Sequence, residues 1–155
     1  MAPTDAGGPG IVACPSCGQR NRVPAAATGV ARCARCHTPL PWLTSAGSDD
    51  FDRVVAASAL PVLVDLWAPW CGPCRIVAPG VEQAWRTFAG RLKVVKVNVD
   101  EAPAISTRYG VRGIPTLLIV RAGKEVARQV GAVPPAALER WVGGALGRAG
   151  GTPGE

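Results

Sequence analysis

The pattern of apolar and polar residues predicts alternating strands and helices from about residue 49 onward. An apolar run at 61–67, broken only by Asp65, predicts a buried central strand. Helical spacing of apolar residues follows at once and continues to about Phe88. The later elements are a strand at 92–98, a helix at 103–109, a hairpin of strands at 116–120 and 125–130, and a last helix from Pro134 to about Leu146. This order is typical of an α/β domain.

The first 48 residues lack this pattern and predict a small unit attached to the larger domain. Residues 40–44 have the character of a short first strand, and a short helix to about Ala57, capped by Ser48 or Asp49, then begins the larger domain. The predicted organisation is a flexible tail at 1–11, a four-cysteine domain at 12–41, a linker with the first strand at 42–48, the larger domain at 49–148 and a flexible tail at 149–155.

Composition excludes a disordered chain and favours a packed, non-membrane protein. With 48% apolar and 18% charged residues among 155, the chain has enough apolar side chains for a core. No apolar run reaches membrane-spanning length, and the first ten residues lack a signal-peptide pattern. We therefore expect a cytoplasmic protein, in a compartment that keeps thiols reduced. The net charge of +6 comes from dispersed, mostly arginine side chains, so we expect no nucleic-acid surface.

Six cysteines form three C-x-x-C pairs, and the first two pairs have the spacing of a metal site. Fifteen residues separate Cys17 from Cys33, which lies within the window for a four-cysteine structural zinc site. Each pair can form a knuckle that aims two sulfurs at one point, and Gly18 permits the turn after the first. A segment of about 30 residues cannot fold by burial alone, so metal would supply most of its folding free energy. The predicted ligands of one structural zinc ion are Cys14, Cys17, Cys33 and Cys36.

Other interpretations of this segment stay open in the sequence. The four cysteines could instead form two structural disulfides. The one histidine, His37, completes the C-x-x-C-H pattern of haem attachment, although such haem requires export and competes for the same cysteines. His37 could also replace a cysteine as a zinc ligand, or be a surface residue without a metal role.

The third pair, Cys71 and Cys74, lies where the central strand meets the following helix. A helix N-terminus stabilises a thiolate relative to a thiol, and this spacing lets a small disulfide close and reopen. We therefore predict a redox centre in which Cys71, nearer the helix end, is the nucleophile and Cys74 resolves. Asp65 should be buried with a raised pKa, and accept the proton of Cys74. The alternative is a carboxylate that is merely paired with Lys96.

The stretch Trp67-Ala-Pro-Trp70-Cys71-Gly72-Pro73-Cys74 resembles the active site of thioredoxin, and three further motifs follow in the order of that family. Lys93–Asp100 resembles its third strand, Tyr109–Thr116 its proline loop, and Val130–Ala132 the glycine region that closes the substrate groove. With four cysteines in front, the chain is similar to the zinc-containing, two-domain type of bacterial thioredoxin. The resemblance implies a thioredoxin fold, a mixed sheet flanked by helices, preceded by a small zinc ribbon.

The resemblance also implies how a substrate is held. Pro115 is expected to form a cis peptide bond with Ile114 and to leave the Ile114 backbone free to pair with an extended substrate segment. Gly131 is expected to let the substrate backbone approach closely. Trp70 is expected to form apolar surface for partners, while Trp67 packs beneath the site.

The resemblance carries two further expectations, one about the direction of the reaction and one about the ion pair at Asp65. Pro73, which follows Gly72 between the two cysteines, is the residue that reducing members of the family carry. In the family, the lysine that matches Lys96 lies near the acid that matches Asp65. Proton transfer and ion pairing at Asp65 can therefore hold together.

These expectations combine into a thiol–disulfide oxidoreductase that reduces protein disulfides by dithiol–disulfide exchange, with a zinc domain that tunes it or adds a docking face. The implied partners are an NADPH-dependent thioredoxin reductase and disulfide-containing substrate proteins, and the implied state is a monomer. The competing interpretation is a zinc-regulated redox sensor or partner-binding module. In that case zinc-bound thiolates are the groups that become oxidised, and the third pair is secondary.

Overall fold

The computed structural model describes residues 10–27 and 29–149, and its main unit is a five-stranded mixed sheet flanked by helices. The elements in chain order are β1 (Ile11–Ala13), β2 (Arg20–Arg22), β3 (Leu43–Ser45), a π-helical turn (Asp52–Ala56), β4 (Val62–Trp67), α1 (Gly72–Thr87), β5 (Lys93–Asn98), α2 (Pro103–Arg108), β6 (Thr116–Arg121), β7 (Lys124–Val130) and α3 (Pro135–Ala149). Strands β3 to β7 form the mixed sheet, in the order β3-β5-β4-β6-β7. The predicted fold is therefore confirmed.

Strand β4 lies at the centre of the sheet because almost all of its side chains are apolar. It pairs in parallel with β5 and antiparallel with β6, and five of its six residues are buried. Its one charged residue, Asp65, stands directly opposite Lys96 of β5. The strand thus carries a carboxyl group through the core toward the start of α1.

Apolar side chains cover both faces of the sheet. On one face, Leu63 of β4 packs in a cluster with Val77 of α1 and Leu138 of α3. On the other face, Val64 packs in a cluster with Phe51 and with Ile105 of α2. None of the helices in the two described ranges is long and apolar enough to cross a membrane.

The N-terminal segment, defined here as residues 10–41, forms a small unit against this sheet. Strands β1 and β2 pair antiparallel, from Ile11 opposite Arg22 to Ala13 opposite Arg20. Val12 and Val23 pack with Leu40 and with Trp42, which immediately precedes β3. The segment therefore shares its apolar cluster with the chain that enters the larger domain.

Several boundaries differ from the sequence predictions. The short helix expected to about Ala57 is present, but it is a π-helical turn that ends at Ala56. The cap also differs from Ser48 or Asp49: the Gly47 carbonyl accepts the Phe51 N–H at 3.0 Å, and the Asp50 carboxylate accepts the Gly47 N–H at 2.7 Å. Helix α3 begins at Pro135 and ends at Ala149, which is one and three residues later than predicted, and the Pro134 carbonyl accepts the Leu138 N–H. Of the two predicted tails, residues 1–9 and 150–155 lie outside the described residues, and β1 begins already at Ile11.

Candidate active site and metal centre

The third cysteine pair lies at the junction of β4 and α1. Cys71 is the N-cap of α1, and its Sγ accepts a hydrogen bond from the backbone N of Cys74 at 3.2 Å. The extended backbone of Cys71 and the proline in the first turn are typical of a helix start. The two sulfurs form a disulfide. The predicted position of both thiols at a helix N-terminus is confirmed.

The disulfide is surrounded by apolar groups. Cys71 and Cys74 are both buried, and they pack in a small cluster with Ala68, Trp67 and Ile114. Apolar surroundings disfavour a charged thiolate, so the N–H groups at the start of α1 must supply the stabilisation that water does not. The site therefore depends on its position at the helix end.

Asp65 is buried in the sheet close to this helix end. Its side chain is only 2% exposed, and its Oδ2 lies 3.9 Å from the Nζ of Lys96. Burial raises the pKa of Asp65 from its ordinary value of 3.8 to about 6, and the opposite charge of Lys96 only partly counteracts that rise. Within the described residues, the Oδ1 atom has no hydrogen-bond partner. Asp65 thus has a free acceptor atom and a pKa in the range of a proton acceptor near neutral pH.

A cavity of about 310 Å³ connects this region to the surface. Its lining includes Cys74, Lys96 and Trp67. The ammonium of Lys96 lies 5.0 Å from the centre of the Trp67 ring. The cavity is wide enough for water, and water can carry a proton between groups that do not touch.

The proline loop packs against the disulfide through Ile114. The Ile114–Pro115 peptide bond is cis, as the resemblance implied. The Pro115 carbonyl accepts the Gly131 N–H at 2.9 Å, and the Thr116 hydroxyl bonds the Gly113 carbonyl at 2.5 Å. These contacts hold Ile114 against the two cysteines and bring Gly131 to the same edge.

Two aromatic side chains flank the site in different ways. Trp70 is 67% exposed, and its Nε1 donates to the Oδ2 of Asp100 at 2.9 Å. Trp67 is half-buried and packs against the cysteine cluster. The sequence analysis did not single out Asp100, although its position just after β5 brings it beside the end of β4. The hydrogen bond orients an exposed aromatic ring beside the disulfide.

Comparison with known proteins agrees with this geometry. The sequence model of the thioredoxin family matches residues 43–143. The chain belongs to the thioredoxin family. Thioredoxin of Haemophilus influenzae is 48% identical over 93 residues, 60% of this chain and 87% of that protein. Thioredoxin 1 of a Nostoc species is 52% identical over 90 residues, which are 58% and 84% of the two chains.

A chloroplast relative lies in the same range of similarity. The M-type thioredoxin of Chlamydomonas reinhardtii is 48% identical over 94 residues, 61% of this chain and 67% of that protein. As a thioredoxin-family protein with a closed Cys71–Cys74 disulfide, the chain is a protein-disulfide oxidoreductase. The family match begins at residue 43 and so does not include the N-terminal segment.

The four remaining cysteines come together in the N-terminal segment as two similar knuckles. In the first, the Ser16 N–H points at the Cys14 sulfur at 3.4 Å, and in the second the Arg35 N–H points at the Cys33 sulfur at 3.4 Å. A backbone hydrogen bond closes each knuckle, from Gly18 to the Cys14 carbonyl and from His37 to the Cys33 carbonyl. Both knuckles thus aim their sulfurs at one point.

The distances between these sulfurs fit a tetrahedral metal site. All four sulfurs lie within 4.8 Å of one another, and the cross-knuckle pairs Cys14–Cys36 and Cys17–Cys33 are 3.5 and 3.6 Å apart. Four sulfurs bound to zinc at about 2.3 Å would be about 3.8 Å apart. The cluster could therefore hold one metal ion without a large movement of the backbone.

His37 is an exposed residue outside the metal cluster. Its backbone has φ of +66°, at the position that corresponds to Gly18 with φ of +80° in the first knuckle. Within the described residues, the group that could hold a metal contains the four cysteines and not His37. Histidine therefore occupies the turn position after the second pair, where Gly18 stands after the first.

Asn21, which the sequence analysis did not single out, connects the two knuckles. Its side-chain oxygen accepts the Ala34 N–H of the second knuckle at 2.9 Å, and its NH₂ group donates to the Gln19 carbonyl beside the first, also at 2.9 Å. Asn21 is buried, whereas Arg20 and Arg22 on either side are exposed. The alternation of a β-strand turns the middle residue inward, and this was the available signal.

Proposed function

We propose that the chain reduces disulfides of other proteins, with Cys71 as the nucleophile and Cys74 as the resolving thiol. The position of Cys71 as the cap of α1 carries this proposal. Its sulfur accepts the Cys74 N–H, and such a bond stabilises the attacking thiolate. Cys74 lies in the first turn of the helix, within bonding distance of Cys71.

The exchange balances as follows. The Cys71 thiolate attacks one sulfur of the substrate disulfide, the bond between the substrate sulfurs breaks, and the first substrate thiolate leaves and takes up a proton. Cys74 loses its proton and attacks the Sγ of Cys71. The bond from Cys71 to the substrate then breaks, and the second substrate thiolate leaves. The chain loses two electrons and two protons, which the substrate gains.

We assign the deprotonation of Cys74 to Asp65. Support comes from the burial of Asp65, its pKa of about 6, and the cavity that borders Cys74 and Lys96. Lys96 has the role of keeping Asp65 ionised at neutral pH, since its positive charge lowers the pKa that burial raises. The two sequence interpretations of Asp65, proton acceptor and ion pair, therefore describe one arrangement.

The substrate-binding face is proposed to combine the proline loop with the exposed aromatic ring. Ile114 and Pro115 would offer backbone to an extended substrate segment, and Gly131 would leave room for it. The exposed ring of Trp70 would supply apolar contact. The remaining supporting residues, proposed to shape the site from beneath and within the motif, are Trp67, Gly72 and Pro73.

The metal in the N-terminal segment is proposed to be one structural zinc ion, held by Cys14, Cys17, Cys33 and Cys36. Four thiolates in a tetrahedron are a donor set that zinc prefers, and the separations between the four sulfurs suit it. Bound there, zinc would supply folding free energy to the segment.

The wider assignment follows the resemblance to thioredoxins. We propose an NADPH-dependent thioredoxin reductase as the electron donor, a monomer as the working form and the cytoplasm as its location. The proposed domain division is a zinc ribbon at 12–41, a linker with the first strand at 42–48 and a thioredoxin domain at 49–148, with tails at 1–11 and 149–155. The place of β3 at the edge of the five-stranded sheet supports the inclusion of a strand in the linker.

Trapping of the mixed disulfide tests the roles of the two cysteines. Reduced Cys74→Ser should form a stable mixed disulfide with a model protein disulfide, because the resolving thiol is missing. Cys71→Ser should form none and should not reduce the substrate. Equal trapping by both variants, or trapping by Cys71→Ser alone, would contradict the assignment.

Stepwise mild oxidation separates the reductase from the zinc-regulated sensor. Cys17 and Cys36 are exposed, so an oxidant can reach two of the proposed ligands. Zinc per chain is measured at each step while disulfides are mapped by mass. Closure of Cys71–Cys74 with zinc retained supports a structural metal. Loss of zinc before or together with that closure would make the N-terminal segment the sensor.

A further inference from the structure

Lys93 of β5 is a fully buried lysine that the exchange chemistry does not use. Its side chain is among the largest with no exposed surface. The ammonium donates to the carbonyls of Val54 at 2.6 Å, Ala25 at 2.5 Å and Ala27 at 3.5 Å. It also lies 4.3 Å from the centre of the Trp42 ring. All of these partners are neutral.

The partners of Lys93 come from two different parts of the molecule. Val54 belongs to the π-helical turn of the larger domain, whereas Ala25 and Ala27 lie between the two knuckles of the N-terminal segment. Trp42 packs in the same apolar cluster as the metal-site residues Cys14 and Cys33. One buried ammonium therefore joins the thioredoxin domain to the segment that holds the cysteine cluster.

This arrangement is stable only while both parts are in place. A buried ammonium is costly unless hydrogen bonds replace its water, and burial lowers the pKa of Lys93 to about 8. Two of its three carbonyl acceptors belong to the short segment whose fold we propose to depend on metal. If that segment unfolds, the ammonium keeps only Val54 and is more stable in water.

We propose that Lys93 couples metal binding in the N-terminal segment to the packing of β5. With metal bound, the spacer carbonyls hold the ammonium inside the molecule. On metal loss, these carbonyls leave and the Lys93 side chain moves to solvent. The inference rests on the proposed zinc site, but not on the roles of Cys71 and Cys74.

Lysine acetylation tests this directly because the chain has only three lysines, Lys93, Lys96 and Lys124. The full chain is labelled briefly with an acetylating reagent under reductant, once zinc-loaded and once after a strong chelator, and each site is quantified by mass. Lys124 is exposed on β7 and reports the intrinsic rate. Zinc content is measured in the same samples, so failure to bind zinc is seen separately from failure of the coupling.

In the zinc-loaded chain, we expect Lys93 to react more than about tenfold slower than Lys124, because the buried Lys93 amine reacts only after local opening of the structure. After chelation, that difference should disappear while Lys124 keeps its rate. Protection of Lys93 that is unchanged by zinc removal would overturn the proposal, and so would rapid labelling of Lys93 in the zinc-loaded chain.

A pair of variants tests the coupling from the metal side. Linkage is reciprocal, so loss of the Lys93 contacts should weaken metal binding. Lys93→Met keeps the apolar stem and removes the ammonium, and Lys124→Met is the matched control. In equilibrium competition with a colorimetric chelator, we expect Lys93→Met to bind zinc about five- to tenfold more weakly than the wild type, and Lys124→Met to bind it as the wild type does. Equal zinc affinity of all three chains would contradict the coupling.

Discussion

Asp65 and Lys96 stand directly opposite each other on neighbouring parallel strands, with Oδ2 and Nζ 3.9 Å apart. The pair is unequal, because the Asp65 side chain is 2% exposed and that of Lys96 is 29% exposed. The lysine charge is partly screened by water, so it does not compensate for the burial of the carboxylate. The pKa of Asp65 therefore stays raised, at about 6, despite the nearby cation.

The raised pKa predicts that Asp65 lowers the stability of the oxidised protein at neutral pH. As pH rises from about 4 through about 6, the unfolded chain loses the Asp65 proton before the folded chain does, so stability falls. The rise from 3.8 to about 6 corresponds to about 3 kcal/mol. Asp65→Asn should therefore be more stable than the wild type at pH 7, by up to that amount, and the gain should shrink toward pH 4.

Urea unfolding between pH 4 and pH 7.5 measures this difference. The control is Asp49→Asn, since Asp49 is an exposed carboxylate before the π-helical turn. A gain from Asp65→Asn that is independent of pH would show that the carboxyl is not the titrating group.

Lys96→Met should move the acid limb of the pH–rate profile of the exchange reaction to higher pH. Removal of the positive charge raises the pKa of Asp65 further. The ionised form that accepts the Cys74 proton then appears only at higher pH. Because Lys96 is partly exposed, we expect an upward movement of about 0.5–1 pH unit in the midpoint. Stopped-flow measurement of mixed-disulfide resolution from pH 5 to 8 gives that midpoint.

Lys124→Met removes one exposed positive charge from β7 and serves as the comparison. Its profile should overlap that of the wild type. If both lysine variants move the midpoint equally, net charge rather than the contact with Asp65 controls the reaction.

Asn21→Ala should weaken zinc binding without removal of a ligand. The substitution deletes the two hydrogen bonds that join the knuckles, through the Ala34 N–H and the Gln19 carbonyl. Loss of such supporting contacts typically costs about 10–100-fold in metal affinity. We expect zinc transfer to a chelator to be at least about tenfold faster than in the wild type. Gln19→Ala is the control, because that side chain is exposed and its Nε2 donates to the neighbouring Arg20 carbonyl. Equal transfer rates in the two variants would leave Asn21 without a role at the metal site.

The redox and metal cysteines could be predicted because their chemistry depends on spacing along the chain. Cys71 and Cys74 fall at a strand–helix junction that the apolar pattern already marks, and the knuckle pairs follow from C-x-x-C alone. Lys93 could not be predicted in the same way. Its strand pattern puts it on the face of Val95 and Val97, but its acceptors come from residues far away in sequence.

The short helix near residue 50 was predicted at nearly the right place, but with the wrong start and the wrong type. It is a π-helical turn that ends at Ala56, and the chain enters it from Gly47, whose carbonyl accepts the Phe51 N–H and whose own N–H donates to the Asp50 carboxylate. Neither the π-helical hydrogen bonds nor the glycine start is visible in a pattern of apolar and polar residues. Buried polar groups and local side-chain bonds were thus the features that the sequence analysis missed.

Gly131 should be required for its backbone conformation rather than for a lack of space. Its φ is +90°, yet a Cβ built there would meet nothing within 4 Å. Gly131→Ala should therefore destabilise the chain by about 1–2 kcal/mol through backbone strain, or pull the Pro115 contact out of register. Gly113→Ala is the matched control, since that glycine also has open space around a Cβ but is not in the positive-φ region. Urea unfolding and the rate of protein-disulfide reduction are measured for both variants. A loss for Gly131→Ala alone supports the conformational role, whereas equal losses would indicate that both glycines are needed for the approach of the substrate.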